Sequence, residues 1–256
     1  VSAATIYKYR RGFIAGYYRD VAGISGLAYN NPDACLWANR SGWFNDNITD
    51  PSVSWKEFID PSAVISGMAA VRDPWVSLHE KSAVNLNQVD GFNSTQISTL
   101  QAAWVNFFRF DGRGSYRSVE GFTNEGAAAV HRYTDDRALW IYVGDTIYSD
   151  LLTKNIIGNI QVERNQVLDL EQVIMGSLMK IFNEGGIGNP QTLEIDVGLK
   201  PINSQLIDAI KTPPAERTQA QKDYIQNVQA TRSETIRIYY DALGSIHELI
   251  IPLGGR

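Results

Sequence analysis

Residues 60–75, DPSAVISGMAAVRDPW, and residues 112–126, GRGSYRSVEGFTNEG, decide how this chain is read, together with the amphipathic stretch between them. Pro61 falls in the first turn of a candidate helix, where its missing N–H is no loss and its fixed φ is already helical. Ala63, Val64, Gly67, Met68 and Val71 recur at helical spacing, predicting one apolar stripe that packs on a sheet. Arg72-Asp73-Pro74 ends that helix, because the residue before a proline is driven out of the helical region. Val76 to Phe92 reads as irregular strand and loop. Ser94 and Thr95 are predicted caps for a second helix, with Ile97, Leu100, Trp104, Val105 and Phe108 on its apolar face and its end near Phe108. Asp111-Gly112-Arg113-Gly114 is a tight turn, and Tyr116 to Phe122 alternates as a strand. The predicted unit is helix, turn, strand.

Downstream, Asp135-Asp136 introduces a long helix from Arg137 to about Ile157, with Leu139, Tyr142, Val143, Thr146, Ile147 and Leu151 at helical intervals. A second helix opens at Asn165 or Asp169. Its stripe is Leu170, Val173, Ile174, Leu178, Ile181 and Phe182, and Glu184-Gly185-Gly186 supplies the left-handed stop. Two such helices on a short connection pack as a hairpin. Leu193, Ile195, Val197 and Leu199 alternate with polar residues and predict a half-buried strand. Lys200 to Arg232 reads as a polar insertion carrying Pro213-Pro214 and a surface helix from Ala215 to about Gln229. ETIRIYYD, a Leu243-Gly244 turn and SIHELIIPL then predict an antiparallel hairpin. Helices and strands come in blocks, so the predicted fold class is α+β, a mixed or antiparallel sheet flanked by helices.

Upstream, residues 1–59 are rich in Gly, Asn, Asp and aromatics, and turn signals break them into short pieces. One or two strands with long loops are expected, with a short helix at Pro32 to Asn39. Two parts follow: a loop-rich, strand-containing part over 1–59 and a core domain over 60–256, with the polar insertion at 200–232.

Composition narrows the function. The 256 residues carry a net charge of -5, against the dense cationic footprint that nucleic-acid binding needs. Lys8, Arg10, Arg11 and Arg19, interleaved with Tyr7, Tyr9, Tyr17 and Tyr18, are the local exception, and TIYKYR fits an exposed strand better. No nucleic-acid partner is expected. Cys35 stands alone, which suits a reducing compartment and excludes a thiolate-rich zinc site. No apolar run reaches membrane-spanning length and the start lacks a signal-peptide core, so a soluble chain with no membrane partner is expected. The chain starts at Val1 and ends at Arg256, as a trypsin-trimmed core of a longer protein would.

Catalytic motifs are weak throughout. His79, His131 and His247 show no metal-ligand spacing, and each reads as structural. Asp135-Asp136 reads as helix-start cap and dipole partner in place of an acid–base pair. Glu184-Gly185-Gly186-Ile187-Gly188 follows a helix, whereas a phosphate cradle follows a strand. Gly23-Ile24-Ser25-Gly26 lacks the spacing of a nucleophile elbow. The sequons at Asn39, Asn47 and Asn93 matter only in a secretory pathway. No catalytic residue, metal or cofactor is therefore expected. A hydrolase with a dispersed site would need His79 or His131 beside a carboxylate or a serine.

In their order and separation, Pro61 to Asp73, Gly112 to Thr123, the helices over 136–184, the Gly185-Gly186 stop and the closing hairpin resemble the C-terminal core of contractile phage tail sheath proteins. The resemblance covers about Asp60 to Gly255. Val119 and Glu120 stand where that family often has a tryptophan, and the insertion at Lys200 to Arg232 is longer than the family pattern suggests. The resemblance implies a non-enzymatic subunit of stacked hexameric rings around a tail tube, contracting without nucleotide hydrolysis. Implied partners are further sheath subunits, the tail tube protein, and baseplate and tail terminator proteins. Implied localisation is the virion tail, assembled in the host cytoplasm. Extended arms in that family add strands to a neighbour's sheet, and an unpaired sheet edge is what accepts them. Candidate edges here are Thr235, Ile236, Arg237, Ile238, Tyr239 and Tyr240, and Ile246, His247, Glu248, Leu249, Ile250 and Ile251. A different virion protein, from a baseplate or capsid, is the alternative.

Overall fold

The computed structural model describes residues 12–17, 34–39, 61–78, 82–83, 93–110, 116–119, 121–123, 133–157, 162–194, 198–231, 233–242 and 245–254. The fold is α+β, with its described strands in three small sheets. The chain divides into two compact units, Val1–Ala138 and Leu139–Arg256.

In the first unit, β1 (Gly12–Tyr17) and β2 (Ala34–Asn39) pair in parallel, Gly12 opposite Ala34 through Tyr17 opposite Asn39. The helix expected at Pro32 to Asn39 is thus a strand over its described part. Trp37 explains the difference, since it is fully buried and lies tilted against Phe108 with ring centroids 5.0 Å apart, so tertiary packing overrides the helix-start signal. Helix α1 (Pro61–Ala70) packs on both strands. Its buried face is centred on Ile65, which joins Trp37, Leu78, Phe108 and Tyr116 in one core, with Val64, Met68 and Ala69 against it. The predicted stripe is therefore displaced: Gly67 is exposed and Val71 is 82% exposed.

Helix α2 (Ser94–Ala102) is capped by Asn93, not by Ser94 or Thr95. The Gln96 N–H donates to Asn93 Oδ1 at 2.9 Å and the Asn93 N–H to Gln96 Oε1 at 3.0 Å, a reciprocal capping box. The helix also stops before Phe108. Trp104 takes a left-handed φ of 57°, while the Val105 and Trp104 N–H groups donate to the carbonyls of Leu100 and Gln101. That is a Schellman stop with tryptophan where glycine is usual, and it lets Phe107–Phe110 leave as strand β4. Strand β4 pairs antiparallel with β5 (Tyr116–Val119), whose other side takes β3 (Ser82–Ala83).

Fully buried Asn106 completes this sheet. Its Oδ1 accepts from the Phe122 N–H at 2.6 Å and its Nδ2 donates to the Phe122 carbonyl at 2.9 Å, so one side chain acts as a strand neighbour. Phe122 carries an aromatic group, with Trp104 edge-on at 4.6 Å and Tyr133 stacked at 5.5 Å.

Helix α3 (Thr134–Thr153) and helix α4 (Arg164–Asn183) follow the predicted pattern closely. Leu139, Val143, Ile147 and Leu151 are buried on one, and Val167, Leu170, Ile174, Leu178 and Ile181 on the other. Each such side chain contributes about 1.5–3 kcal/mol by leaving water. Ser177 Oγ donates to Asp150 Oδ2 at 2.7 Å and Tyr142 OH to Glu184 Oε2 at 2.7 Å. Going back along α3 from the first bond to the second means going forward along α4, which is the antiparallel hairpin expected. Gly185 stops α4 at φ 86°, and Asn155 does the same for α3 at φ 53°.

The next segment departs from expectation. Leu193 and Glu194 are helical, and Gly198 donates its N–H to the Glu194 carbonyl four residues back, so the described ends of 193–199 do not form a strand. The supposed polar insertion is part of the packed fold. It holds β6 (Ile202–Asn203), helix α5 (Gln205–Lys211) and helix α6 (Gln219–Thr231). Ile202, Leu206, Ile207, Ala209, Ile210 and Val228 are all buried. On its surface Lys211 Nζ meets Glu171 Oε1 at 2.6 Å. Arg217 donates to the carbonyls of Thr212 and Ile210 and so closes the end of α5.

Candidate assembly surface

The chain closes with β7 (Ser233–Ala242) and β8 (Ser245–Gly254), antiparallel in unbroken register from Ser233 opposite Gly254 to Ala242 opposite Ser245. Two residues, Leu243 and Gly244, separate the strands, as the sequence predicted for a tight hairpin. The sheet order is β6-β7-β8. Among the described residues, β8 has a strand neighbour on one side only.

This order separates the two sets of candidate edge residues. Thr235, Ile236, Arg237, Ile238, Tyr239 and Tyr240 lie in the middle strand, with β8 on one side and β6 meeting Arg237 and Ile238 on the other. Ile246, His247, Glu248, Leu249, Ile250 and Ile251 lie in the outer strand, His247 opposite Tyr240.

Strand β7 is seated by side chains on alternate residues. Glu234, Ile236, Ile238, Tyr240 and Ala242 are buried, with the residues between them more exposed. A carboxylate in that row needs partners. Glu234, 6% exposed, accepts from Ser204 Oγ at 2.7 Å and from Tyr224 OH at 2.8 Å. Ser204 is the N-cap of α5, its Oγ also accepting from the Ile207 N–H at 3.2 Å, and Tyr224 belongs to α6. One carboxylate thus fastens both helices of the 200–232 segment to the hairpin. Burial first, then the hydrogen bond to Glu234 and its negative charge, push the Tyr224 phenol up to about 12. At the other end of β7, the Gly188 N–H donates to the Asp241 carbonyl at 2.8 Å. A Cβ at Gly188 would stand 3.2 Å from Asp241 Cβ, so the glycine permits that approach.

The remaining candidate residues do not converge. Asp135 and Asp136 lie in the first turn of α3. Glu184 holds Tyr142, and Asn93 caps α2. Cys35 is in β2, while Ser25, His79 and His131 fall outside the described residues, as do Asn47 and most of the basic, tyrosine-rich segment. Among the described residues, no group of three or more His, Cys, Asp or Glu could hold a metal, and no helix is long and apolar enough to cross a membrane. Sequence reading missed the Glu234 joint because glutamate opening a strand reads as solvated. Its signal was parity, since Glu234 shares the phase of Ile236 and Ile238. Asn106 was missed because the helix was carried through it.

Solved structures share this arrangement. The sheath tail protein of Listeria innocua matches 99% of this chain with a TM-score of 0.59 at 10% identity, over 51% of its own length. That of Desulfitobacterium hafniense matches 98% with a TM-score of 0.56 at 11% identity, over 57% of its length. The chain has the contractile tail-sheath fold. A protein in the six-fold symmetrised baseplate of the anti-feeding prophage matches this sheath-fold chain as well, over 99% of it and 60% of its own length, with a TM-score of 0.52 at 14% identity. The sheath-fold chain thus spans half to three fifths of the length of the proteins it resembles. No family model matches the sequence, and no curated protein matches it.

Proposed function

We propose that the chain is a structural, non-enzymatic subunit of a contractile phage tail sheath. Subunits stack as hexameric rings around a tail tube, within a virion tail assembled in the host cytoplasm. The core role falls to residues 60–256, with the described strands of 1–59 packed against its first helix. Contraction moves such cores from a metastable extended lattice to a compact one, and the energy lies in the difference between lattices. The partners are further copies of the subunit, the tail tube protein, and the baseplate and terminator proteins at the two ends. Extended segments of neighbours join the hairpin sheet, with the Ile246 to Ile251 edge receiving them. The observation that carries this reading is the fold likeness to two sheath tail proteins across nearly the whole chain.

Negative-stain electron microscopy of the protein at its natural length tests it. Long striated tubes with open ends are expected. A protein that stays monomeric across salt and concentration, or forms closed shells, overturns the reading. The likeness to a baseplate protein favours one other role, a sheath-type component of the baseplate. Single rings that never stack would select that role.

A further inference from the structure

We propose that Pro252 ends the register in which β8 accepts an added strand, so that pairing runs over Ile246, Glu248 and Ile250 and stops there. The inference rests on the assembly reading above, and the occupant is an extended segment of a second copy of this chain. In a lattice of identical subunits, such a segment has the highest local concentration of any extended chain.

Hydrogen-bond direction gives the register. The Tyr239 N–H donates to the Pro201 carbonyl at 2.9 Å, on the β6 side of β7. In an antiparallel ladder, residues exchange bonds in every second pair, and the pairs between point their backbone groups away from each other. Tyr239 opposite Glu248 is such an outward pair. Stepping by two, Ile246, Glu248, Ile250, Pro252 and Gly254 turn their backbone groups toward the side of β8 that has no strand neighbour among the described residues. Two further observations agree. The Asp241 carbonyl, on the same parity as Tyr239, is taken by Gly188 and not by β8. Ala242 opposite Ser245 then falls in the bonded class, as a two-residue hairpin loop requires.

Proline is tolerated in a strand where its missing N–H faces away from the ladder. Pro252 stands at such a position: β7 loses nothing by it, and the open edge loses a donor. Ile246, Glu248 and Ile250 offer three successive N–H and C=O sets, and the fourth position cannot donate. A strand laid along this edge meets its last complete partner at Ile250.

Residue-resolved hydrogen exchange on assembled and unassembled protein tests the inference. Unassembled protein should protect His247, Leu249 and Ile251, while Ile246, Glu248 and Ile250 exchange freely. Assembly should slow those three amides at least tenfold and leave Gly254 unchanged. Pro252→Ala should extend the protection to position 252 and lower the concentration at which assembly begins roughly five-fold, as one added hydrogen bond would. Ile250→Pro, which leaves the β7 ladder intact, should confine protection to Ile246 and Glu248. Assembly with no new protection at Ile246, Glu248 and Ile250 overturns the inference and leaves the sheath reading standing. An unchanged pattern in Pro252→Ala refutes the role of the proline, and a protein that never assembles overturns both readings.

Discussion

Glu234 is the most exacting test of how the hairpin is held. Replacing it with alanine removes the bonds from Ser204 Oγ at 2.7 Å and Tyr224 OH at 2.8 Å, each worth about 1.5–3 kcal/mol as a bond to a charged group. It also strands the Ser204 hydroxyl, which is buried. Against this, the carboxylate no longer suffers a desolvation cost of several kcal/mol. The balance is a loss of about 2–3 kcal/mol for Glu234→Ala. Glu234→Gln keeps an oxygen for Ser204, and its amide can donate to the Tyr224 oxygen, so only the charge assistance goes, about 1 kcal/mol. Urea unfolding followed by far-UV circular dichroism at pH 7 measures both. Alkaline titration adds a second arm. Tyr224 has a folded pKa of about 12 against 10.0 for the free side chain. Folding therefore favours the protonated phenol, and its contribution is complete below pH 10 and lost as the pH rises through about 12. In Glu234→Gln the phenol should titrate lower, burial alone still holding it above its ordinary value. Two variants that unfold at the same urea concentration as the native chain would refute the joint. A glutamine variant as unstable as the alanine one would refute the ordering of shape over charge.

Asn106→Ala should cost about 3–4 kcal/mol, because it leaves both backbone groups of buried Phe122 unpaired; near-UV circular dichroism should lose the signal of the Trp104, Phe122 and Tyr133 group at lower urea. Ile65→Ala should cost about 2–4 kcal/mol and Val71→Ser less than about 0.5 kcal/mol, which chemical denaturation distinguishes easily. Equal effects would return the buried face of α1 to the stripe read from spacing.

What the sequence made legible follows from how local each signal is. The closing hairpin, the α3–α4 pair and the Gly185 stop were legible because alternation, 3.6-residue spacing and a glycine each act within a few residues. Trp104 was misread for the opposite reason. An aromatic residue continues a helical stripe on paper, and only its packing against Phe122 makes a left-handed tryptophan affordable. The strand at 34–39 was hidden because Trp37 earns its place from Phe108, far along the chain. The segment over 200–232 looked like an insertion because its average is polar, although Leu206, Ile207, Ala209 and Ile210 form a buried face in one short helix. Of the candidate assembly surface, both strands were legible. Which of them lies outermost was not, because the pairing of β6 with β7 is a two-residue contact with no pattern of its own.

The unbroken hairpin register also has a mechanical meaning. Ser233 and Gly254 leave the hairpin at the same end, opposite the two-residue loop. A pull applied through those chain ends opens the ladder one rung at a time, and each rung resists alone. A pull along the axis of β8, delivered by a strand lying beside it, loads every rung together in shear. Ten paired residues on each strand then share the force, over a length of about 34 Å. The same ladder is weak to tension from its own chain and strong to tension from a neighbour.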